Sequence, residues 1–322
     1  MSAFTDVPPG DATESRDPAG PGEPGNAPAS ASSAGFRRAT DEMALGCPRF
    51  YLGSSRMVYA VLSSRARGLS LGVNLNPDQY CNFDCCYCEV SRSNPLPASP
   101  SAVDAQALAS ELNRALTDVN QGALLRHAPF ASLPPETLRL AHVAISGDGE
   151  PTLCPNFAEA VECVVHLRAA GLSPYFKLVL LTNGSVLDQA AVRDGLRLFT
   201  RSDEIWIKLD VGTQAAMDRI NRASVPLERI LNNIADLGRA RSVVIQTMLV
   251  EVDGVLPDPG ELTEYGRRLL RLKELGARIS LVQVYSATRP LHTRACRHLS
   301  LRVLSEMAGA IHQMTGLRVE VF

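Results

Sequence analysis

The sequence predicts an α/β fold built on a parallel sheet, because six short apolar runs alternate along the chain with six segments of helical spacing. Parallel strands need long crossover connections, and a helix between successive strands supplies them. Such a sheet is either doubly wound or a partly closed barrel, and both arrangements place chemistry at the carboxyl ends of the strands. The unusual polar and cysteine-rich segments of this chain do follow its predicted strands.

The strands are predicted where apolar residues cluster in short runs, at Leu71–Leu75, Leu138–Ile145, Lys177–Leu181, Glu204–Leu209, Val243–Val250 and Ile279–Tyr285. The helices are predicted where apolar residues recur at helical spacing, at Val103–Val119, Phe157–Ala170, Asp188–Phe199, Leu227–Arg239, Gly260–Leu275 and Leu301–Gly316. Asp188 and Ser300 are suitable N-caps, and Gly171, Gly276 and Gly316 occupy C-cap positions. A last run, Leu317–Phe322, predicts one more short strand.

Composition limits the classes to which the protein can belong. The chain has 322 residues, 45% of them hydrophobic and 20% charged, with a net charge of −2. These values exclude a collagenous or wholly disordered chain and a strongly basic nucleic-acid coat protein. No apolar run is long enough to span a bilayer. Residues 1–45 are rich in Pro, Gly, Ala and Ser, so we expect a disordered tail there and a folded core with a C-terminal extension over residues 46–322.

Eight cysteines are present, and half of them lie between Cys81 and Cys88. The first residues lack the apolar core of a secretory signal, so we expect a reducing cytoplasmic location and a metal or cluster site rather than disulfides. Three soft thiolates in one loop, Cys81, Cys85 and Cys88, can hold an iron–sulfur cluster. Cys86 has no ligand role in this interpretation. The alternative is a non-catalytic zinc or electron-transfer Fe–S module that uses the cysteines of this loop.

Polar side chains also follow the next three strands. Gly147, Asp148, Gly149 and Glu150 come after the second strand, where glycines allow close backbone approach and a carboxylate can bind an ammonium group. Alone, this segment is more typical of a tight turn. Thr182 and Asn183 follow the third strand, where a helix-entry turn is the alternative.

Lys208 and Asp210 close the fourth strand, and strand alternation places both on one face, opposite Leu209. A buried lysine–aspartate pair is costly unless it is paired or functional. The functional options are ribose or substrate binding, or amine chemistry by Lys208. A plain ion pair is the structural alternative.

The C-x3-C-x2-C spacing after a first strand, with Tyr87 before the last cysteine, resembles the radical S-adenosylmethionine (SAM) superfamily. The Gly-Glu-Pro segment at Glu150 is similar to its Gly-Gly-Glu-Pro motif, although Asp148 stands where the first Gly falls. Together with Leu-Thr-Asn-Gly and Lys-Leu-Asp, these motifs look like an uncharacterised branch grouped with wyosine-type tRNA-modifying enzymes. The resemblance covers roughly residues 50–285.

This resemblance implies a partial (β/α)6 TIM-like barrel of the radical SAM type. It implies a [4Fe–4S] cluster on Cys81, Cys85 and Cys88, and SAM contacts from Tyr87, the Gly147–Glu150 segment, Thr182 and Asn183. The reaction implied is reductive cleavage of SAM to a 5′-deoxyadenosyl radical, with catalytic roles for Lys208 and Asp210. The electron would come from an external low-potential donor of the flavodoxin or ferredoxin type. The basic segment Arg289–His298 makes RNA or a nucleotide a further candidate partner, with solvated surface as the alternative.

Overall fold

A computed structural model describes residues 49–52, 56–90, 97–286 and 296–322. The predicted tail over residues 1–45 lies outside these ranges, as do Cys47 and the basic segment up to residue 295. The strands are β1 (Phe50–Tyr51), β2 (Val58–Ser63), β3 (Gly68–Asn74), β4 (Leu140–Ser146), β5 (Lys177–Thr182), β6 (Glu204–Lys208), β7 (Val243–Met248), β8 (Val250–Val252), β9 (Ile279–Tyr285), β10 (Cys296–His298) and β11 (Val319–Val321).

The helices of the described ranges are α1 (Ala105–Asn120), α2 (Phe157–Ala169), α3 (Ala190–Arg197), α4 (Gln214–Ile220), α5 (Leu227–Ala240), α6 (Pro259–Glu274) and α7 (Leu301–Thr315). Short 3₁₀ turns occupy Ala123–Arg126, Pro135–Leu138 and Pro151–Leu153.

Within the described ranges, nine strands form one open sheet in the order β1-β2-β3-β4-β5-β6-β7-β9-β11, and β8 pairs with β10 separately. From β3 to β11 the neighbours in this sheet are parallel, and the connections between successive strands of this part carry helices. The predicted partial barrel is therefore confirmed. Its register places Lys208, Gln246 and Gln283 side by side on β6, β7 and β9, near the carboxyl ends of these strands.

The leading edge of the sheet differs from the prediction. β2 runs antiparallel to both β1 and β3, so a three-stranded antiparallel ribbon precedes the parallel array. Helix α4 was not predicted either. The start of the predicted strand Leu138–Ile145 is wrong, because the 3₁₀ turn ends at Leu138 and β4 begins at Leu140.

Helix ends match the sequence signals in part. The Ser300 side chain accepts a hydrogen bond from the backbone of Val303 and caps α7, and Gly316 ends that helix with a φ of 63°. The prediction for Asp188 is wrong, because α3 begins after Gln189 and Asp188 instead pairs with Arg229 at 3.1 Å.

Apolar side chains from both faces of the sheet form the core. The outward-facing residues, such as Leu71, Ile145 and Leu180, pack with the helices in one large cluster. On the inner face, Ala144, Val179, Trp206 and Val244 form a smaller cluster inside the barrel. Within the described residues, no helix has both the length and the hydropathy that crossing a bilayer requires.

Candidate active site

A cavity of about 330 Å³ lies inside the open barrel and reaches the loops at the carboxyl ends of the strands. Of the residues that the sequence singles out for chemistry, all but Asp210 line it: Cys81, Cys85, Tyr87, Cys88, Gly147, Asp148, Gly149, Glu150, Thr182, Asn183 and Lys208. Loops that are distant in sequence therefore meet at one place, because parallel strands end at the same edge.

The four cysteines of the loop face two directions. Cys81, Cys85 and Cys88 line the cavity and are partly buried. Cys86 does not line it; its side chain is buried and packs with Val250 and Cys296. Burial, followed by contact with the Cys296 thiol, raises the pKa of Cys86. The cavity thus separates the three predicted ligands from the fourth cysteine, which counts against a zinc site built from all four.

Main-chain hydrogen bonds hold the cysteine loop against the end of helix α4. The Cys86 N–H donates to the carbonyl of Ile220 at 2.8 Å, and the Asp84 N–H donates to the carbonyl of Asn221 at 3.1 Å. Further along, the Ser224 N–H donates to the carbonyl of Asn82 at 3.0 Å. The path of the loop is therefore fixed by protein contacts on its outer side.

Two glycines allow the loop after β4 to approach its neighbours. A Cβ on Gly149 would lie 2.0 Å from the carbonyl oxygen of Tyr80, and the Glu150 N–H donates to the same oxygen at 3.1 Å. Gly147 has a φ of 151°, and a Cβ there would lie 2.1 Å from Asn74 Oδ1. Only glycine fits at these positions. They bring the segment Gly147–Glu150, called the Gly-Glu segment below, directly against the cysteine loop.

Glu150 is buried and accepts hydrogen bonds from several groups. Its Oε1 accepts from the hydroxyls of Thr152 at 2.5 Å and Thr182 at 2.6 Å, and its Oε2 accepts from the Asn183 N–H at 2.6 Å. Burial raises the pKa of Glu150, and these hydrogen bonds oppose that shift. The structure thus joins three predicted cofactor residues in one network, in which Thr182 and Asn183 orient the carboxylate.

The side chain of Asp148 is bound by residues from the leading edge of the sheet. Arg49 forms an ion pair with it, Tyr51 Oη donates to Oδ2 at 2.9 Å, and Asn74 Nδ2 donates to Oδ2 at 3.0 Å. Arg56 lies 3.5 Å from the same oxygen. These contacts give Asp148 a positioning role, since it ties the antiparallel ribbon to the Gly-Glu segment. Contact with a cofactor remains a prediction for this residue.

Tyr87, Lys208, Asp210 and Asn221 form a second network behind the cysteine loop. Tyr87 Oη donates to Asp210 Oδ2 and accepts hydrogen bonds from Lys208 Nζ at 2.9 Å and from Asn221 Nδ2 at 3.0 Å. Asn221 also donates to Asp210 at 2.7 Å and contacts the Cys85 sulfur at 3.6 Å. The network connects a predicted cluster ligand to β6.

Lys208 and Asp210 form the ion pair that strand alternation predicts, with Nζ 3.5 Å from Oδ2. Lys208 lines the cavity, whereas Asp210 is buried outside its lining. Burial alone would lower the pKa of Lys208, but Asp210, together with Tyr285 and Cys85, more than offsets that effect and the pKa is raised. Lys208 is therefore a cation at neutral pH, which suits charge pairing better than amine nucleophilicity.

The remaining inward-facing residues and cysteines fall into ordinary roles. Gln246 Nε2 donates to Gln283 Oε1 at 3.0 Å, so these two buried amides satisfy each other. Cys154 is buried beside Asn156, and Cys163 contacts the carbonyl of Ala105. Neither of these cysteines lines the cavity.

The donor set at the cavity fits an iron–sulfur cluster. Across the described ranges, no group of three or more His, Cys, Asp and Glu side chains is placed to hold a single metal ion. A cubane cluster binds each cysteine through a different iron, so its ligands need a shared cavity and not a shared ion. Cys81, Cys85 and Cys88 are thiols rather than disulfides, lie on one cavity and satisfy that requirement.

Comparison with known proteins decides the family. The model of the radical SAM superfamily matches residues 75–255, which is more than half of the chain. The chain belongs to the radical SAM superfamily. Members of this superfamily are generally enzymes, and they bind a [4Fe–4S] cluster and SAM.

The chain is also similar to curated proteins and to solved structures. A UPF0026 protein of Helicobacter pylori is 26% identical over 198 residues, which cover 60% of this chain and 54% of that relative. The chain thus spans about half the length of this curated relative. A radical SAM methyltransferase from Sphaerobacter thermophilus superposes with a TM-score of 0.56 at 14% identity, over 82% of this chain and 68% of that one.

A TYW1 structure with a lysine-pyruvate adduct superposes with a TM-score of 0.50 at 18% identity, over 80% of this chain and 84% of that one. At these identities the superpositions establish the radical SAM fold alone.

Sequence reasoning missed three residues of this radical SAM site. Asn221 joins both the cysteine loop and Asp210, and Arg49 and Tyr51 bind Asp148. Asn221 follows a helix that the apolar pattern did not predict. Arg49 and Tyr51 lie nearly a hundred residues before their partner, and no local pattern indicates such a contact.

Proposed function

We propose that this protein is a radical SAM enzyme that cleaves SAM reductively and uses the resulting 5′-deoxyadenosyl radical on a substrate inside the barrel. Cys81, Cys85 and Cys88 would hold a [4Fe–4S] cluster. When bound, the cluster and SAM would together supply a one-electron reduction and a carbon radical that abstracts hydrogen.

One observation carries this proposal. The three cysteines with C-x3-C-x2-C spacing share a cavity with the Gly-Glu segment, while Cys86 faces away from it. Donors for a cluster and a carboxylate for the SAM ammonium group thus converge on one space at the carboxyl edge of the sheet.

The chain's own side chains would bind and orient the cofactors. Glu150 would bind the ammonium group of SAM, and Thr182 and Asn183 would hold the Glu150 carboxylate in place through the hydrogen bonds described above. Lys208 would present a fixed positive charge at the cavity wall, kept in position by Asp210 and Tyr87. Tyr87 would also shield the inner side of the cysteine loop from water.

The proposal includes partners and location. A low-potential donor of the flavodoxin or ferredoxin type would supply the electron. We place the protein in the reducing cytoplasm, in keeping with the described cysteines being thiols rather than disulfides. RNA or a nucleotide remains a proposed partner by analogy with wyosine-type enzymes, and tRNA modification is a proposal on the same ground.

Anaerobic reconstitution with iron and sulfide tests the proposal. With SAM and dithionite, the wild-type protein should form 5′-deoxyadenosine, detected by mass spectrometry. Cys85→Ala should lose this activity and most of its iron, because one of three ligands is missing. Cys86→Ala is the matched control, because its side chain lies outside the cavity, and it should keep both. Full iron content and turnover in Cys85→Ala would refute the assignment.

A further inference from the structure

A positive group inside the barrel lacks a counter-charge among the described residues. Arg65, in the turn between β2 and β3, lines the cavity and stacks over the ring of Tyr285, with its guanidinium carbon 4.2 Å from the ring centroid. Within the described ranges it forms no ion pair with a carboxylate. A cation that is partly removed from water in this way stabilises an anion placed beside it.

His142 also lines the cavity, and burial, followed by the nearby charges of Lys177 and Arg65, lowers its pKa, so the imidazole is neutral at neutral pH. It is 3% exposed, and its ring meets Trp206 edge-on with centroids 5.4 Å apart. Within the part of the chain that the structure describes, no hydrogen bond to its ring nitrogens is found, so it has hydrogen-bonding capacity directed at the cavity. Buried imidazoles normally satisfy that capacity within the protein.

The carboxylates around the cavity are occupied elsewhere. Asp148 pairs with Arg49, Glu150 accepts hydrogen bonds from hydroxyl and amide groups, and Asp210 pairs with Lys208. Glu89 also lines the cavity, and its charge acts on Arg49. Near His142, Glu204 pairs with Lys177 at 2.8 Å and accepts a hydrogen bond from the Trp206 indole. Arg65 is therefore a cation of this part of the cavity that no described carboxylate pairs.

We propose that Arg65 and His142, with Lys208 beside them, form the binding site for an oxyanion group of the substrate, either a carboxylate or a phosphate. Arg65 would bind the anion through its planar guanidinium, and His142 would donate a ring N–H. The apolar part of the substrate would pack on Trp206. That the bound anion belongs to a substrate rests on the proposed function. The anion-binding site itself does not depend on it.

Trp206 makes the site directly observable, because it is the single tryptophan of the chain and touches His142. Reconstituted, SAM-saturated protein without reductant is titrated with inorganic phosphate, with acetate and with neutral acetamide at constant ionic strength. We expect a saturable change in Trp206 emission with phosphate or acetate and none with acetamide. The anion that binds more tightly identifies the group as phosphate or carboxylate.

Arg65→Gln should weaken anion binding at least tenfold, and Arg65→Lys should weaken it less because the charge remains. Arg67→Gln is the matched control, because Arg67 lies in the same turn, is largely exposed and pairs with Glu320. It should bind like the wild type. Circular dichroism confirms that each variant is folded.

Absence of a saturable response to either anion would overturn the inference. So would equal binding of acetamide, or wild-type affinity in Arg65→Gln. Since no reductant is added, failure of 5′-deoxyadenosine formation with intact anion binding would reject only the proposed function. Normal SAM cleavage without anion binding would reject only the site.

Discussion

Replacing Asp148 by asparagine would test whether this residue positions the Gly147–Glu150 segment or binds the cofactor. The carboxylate accepts hydrogen bonds from Arg49, Tyr51 and Asn74 at the leading edge of the sheet. The substitution would keep the size of the side chain and remove its charge. Arg49 would then remain as a largely buried cation without its carboxylate partner.

The magnitude follows from the burial of the pair. The side chain of Asp148 is 5% exposed and that of Arg49 is 19% exposed. Breaking a fully buried pair on one side costs about 3–5 kcal/mol. Because Arg49 keeps some contact with water, we expect a loss of about 2–3 kcal/mol in the free energy of unfolding. At about 2–3 °C per kcal/mol, Tm should fall by about 4–9 °C.

Thermal unfolding followed by circular dichroism measures this change without SAM, and equilibrium binding measures the SAM affinity separately. Asp194→Asn is the control, because Asp194 pairs with Arg197 at 2.6 Å on an exposed helix surface. An exposed pair contributes at most about 1 kcal/mol, so its Tm should change little. An Asp148→Asn protein with unchanged Tm and strongly weakened SAM binding would refute the positioning role and indicate a direct cofactor contact.

Two further predictions concern the loop after β4 and the floor of the cavity. Gly149→Ala places a Cβ against the carbonyl of Tyr80, so the loop after β4 and the cysteine loop must separate. Iron analysis of the reconstituted variant should show at least tenfold less iron retained than in the wild type. Normal iron content would contradict this packing. Burial, with Lys177 and Arg65 nearby, lowers the pKa of His142 to about 3, so the unfolded chain takes up its proton first as the pH falls below about 6.5. At pH 5 this proton uptake reduces the free energy of unfolding by about 2 kcal/mol. The Tm of a His142→Gln protein should therefore fall less between pH 7 and pH 5 than that of the wild type. Identical dependence of Tm on pH in the two proteins would show that the imidazole is not held neutral.

The strand and helix order could be predicted because each element of the parallel array carries its own periodic signal. β5, for example, spans Lys177–Thr182 and is buried along most of its length, in agreement with the strand predicted at Lys177–Leu181. The antiparallel strand Val58–Ser63 carries a similar signal, and the Ser64–Gly68 segment after it is a suitable hairpin turn. Pairing of the two strands is a tertiary choice that a periodic pattern does not specify.

The candidate site was predictable where its residues follow strands. Glu150 and Thr182 lie at adjacent strand ends, and the parallel register brings them into hydrogen-bonding contact. Alternation also predicted the Lys208–Asp210 pair. It did not predict that Asp210 would lie outside the cavity lining, because β6 ends at Lys208 and alternation no longer applies beyond it.

Long-range electrostatic partners were not predictable. Asp148 departs from the Gly of the family motif, and the reason is visible only in the fold, where Arg49 and Tyr51 surround the carboxylate. The position of Arg65 inside the barrel is a similar case. Its sequence context, a basic turn, favours solvated surface over a contact at the barrel mouth.

The main-chain hydrogen bonds that hold the cysteine loop to the end of α4 bear on how the enzyme would be assembled. Because the carbonyls of Ile220 and Asn221 already order the loop, much of its conformational entropy is lost when the polypeptide folds. A cluster would then bind to a loop that is already ordered, with a smaller entropic penalty than a flexible loop would impose. Loss and reinsertion of such a cluster would then leave the path of the loop and the barrel around it in place.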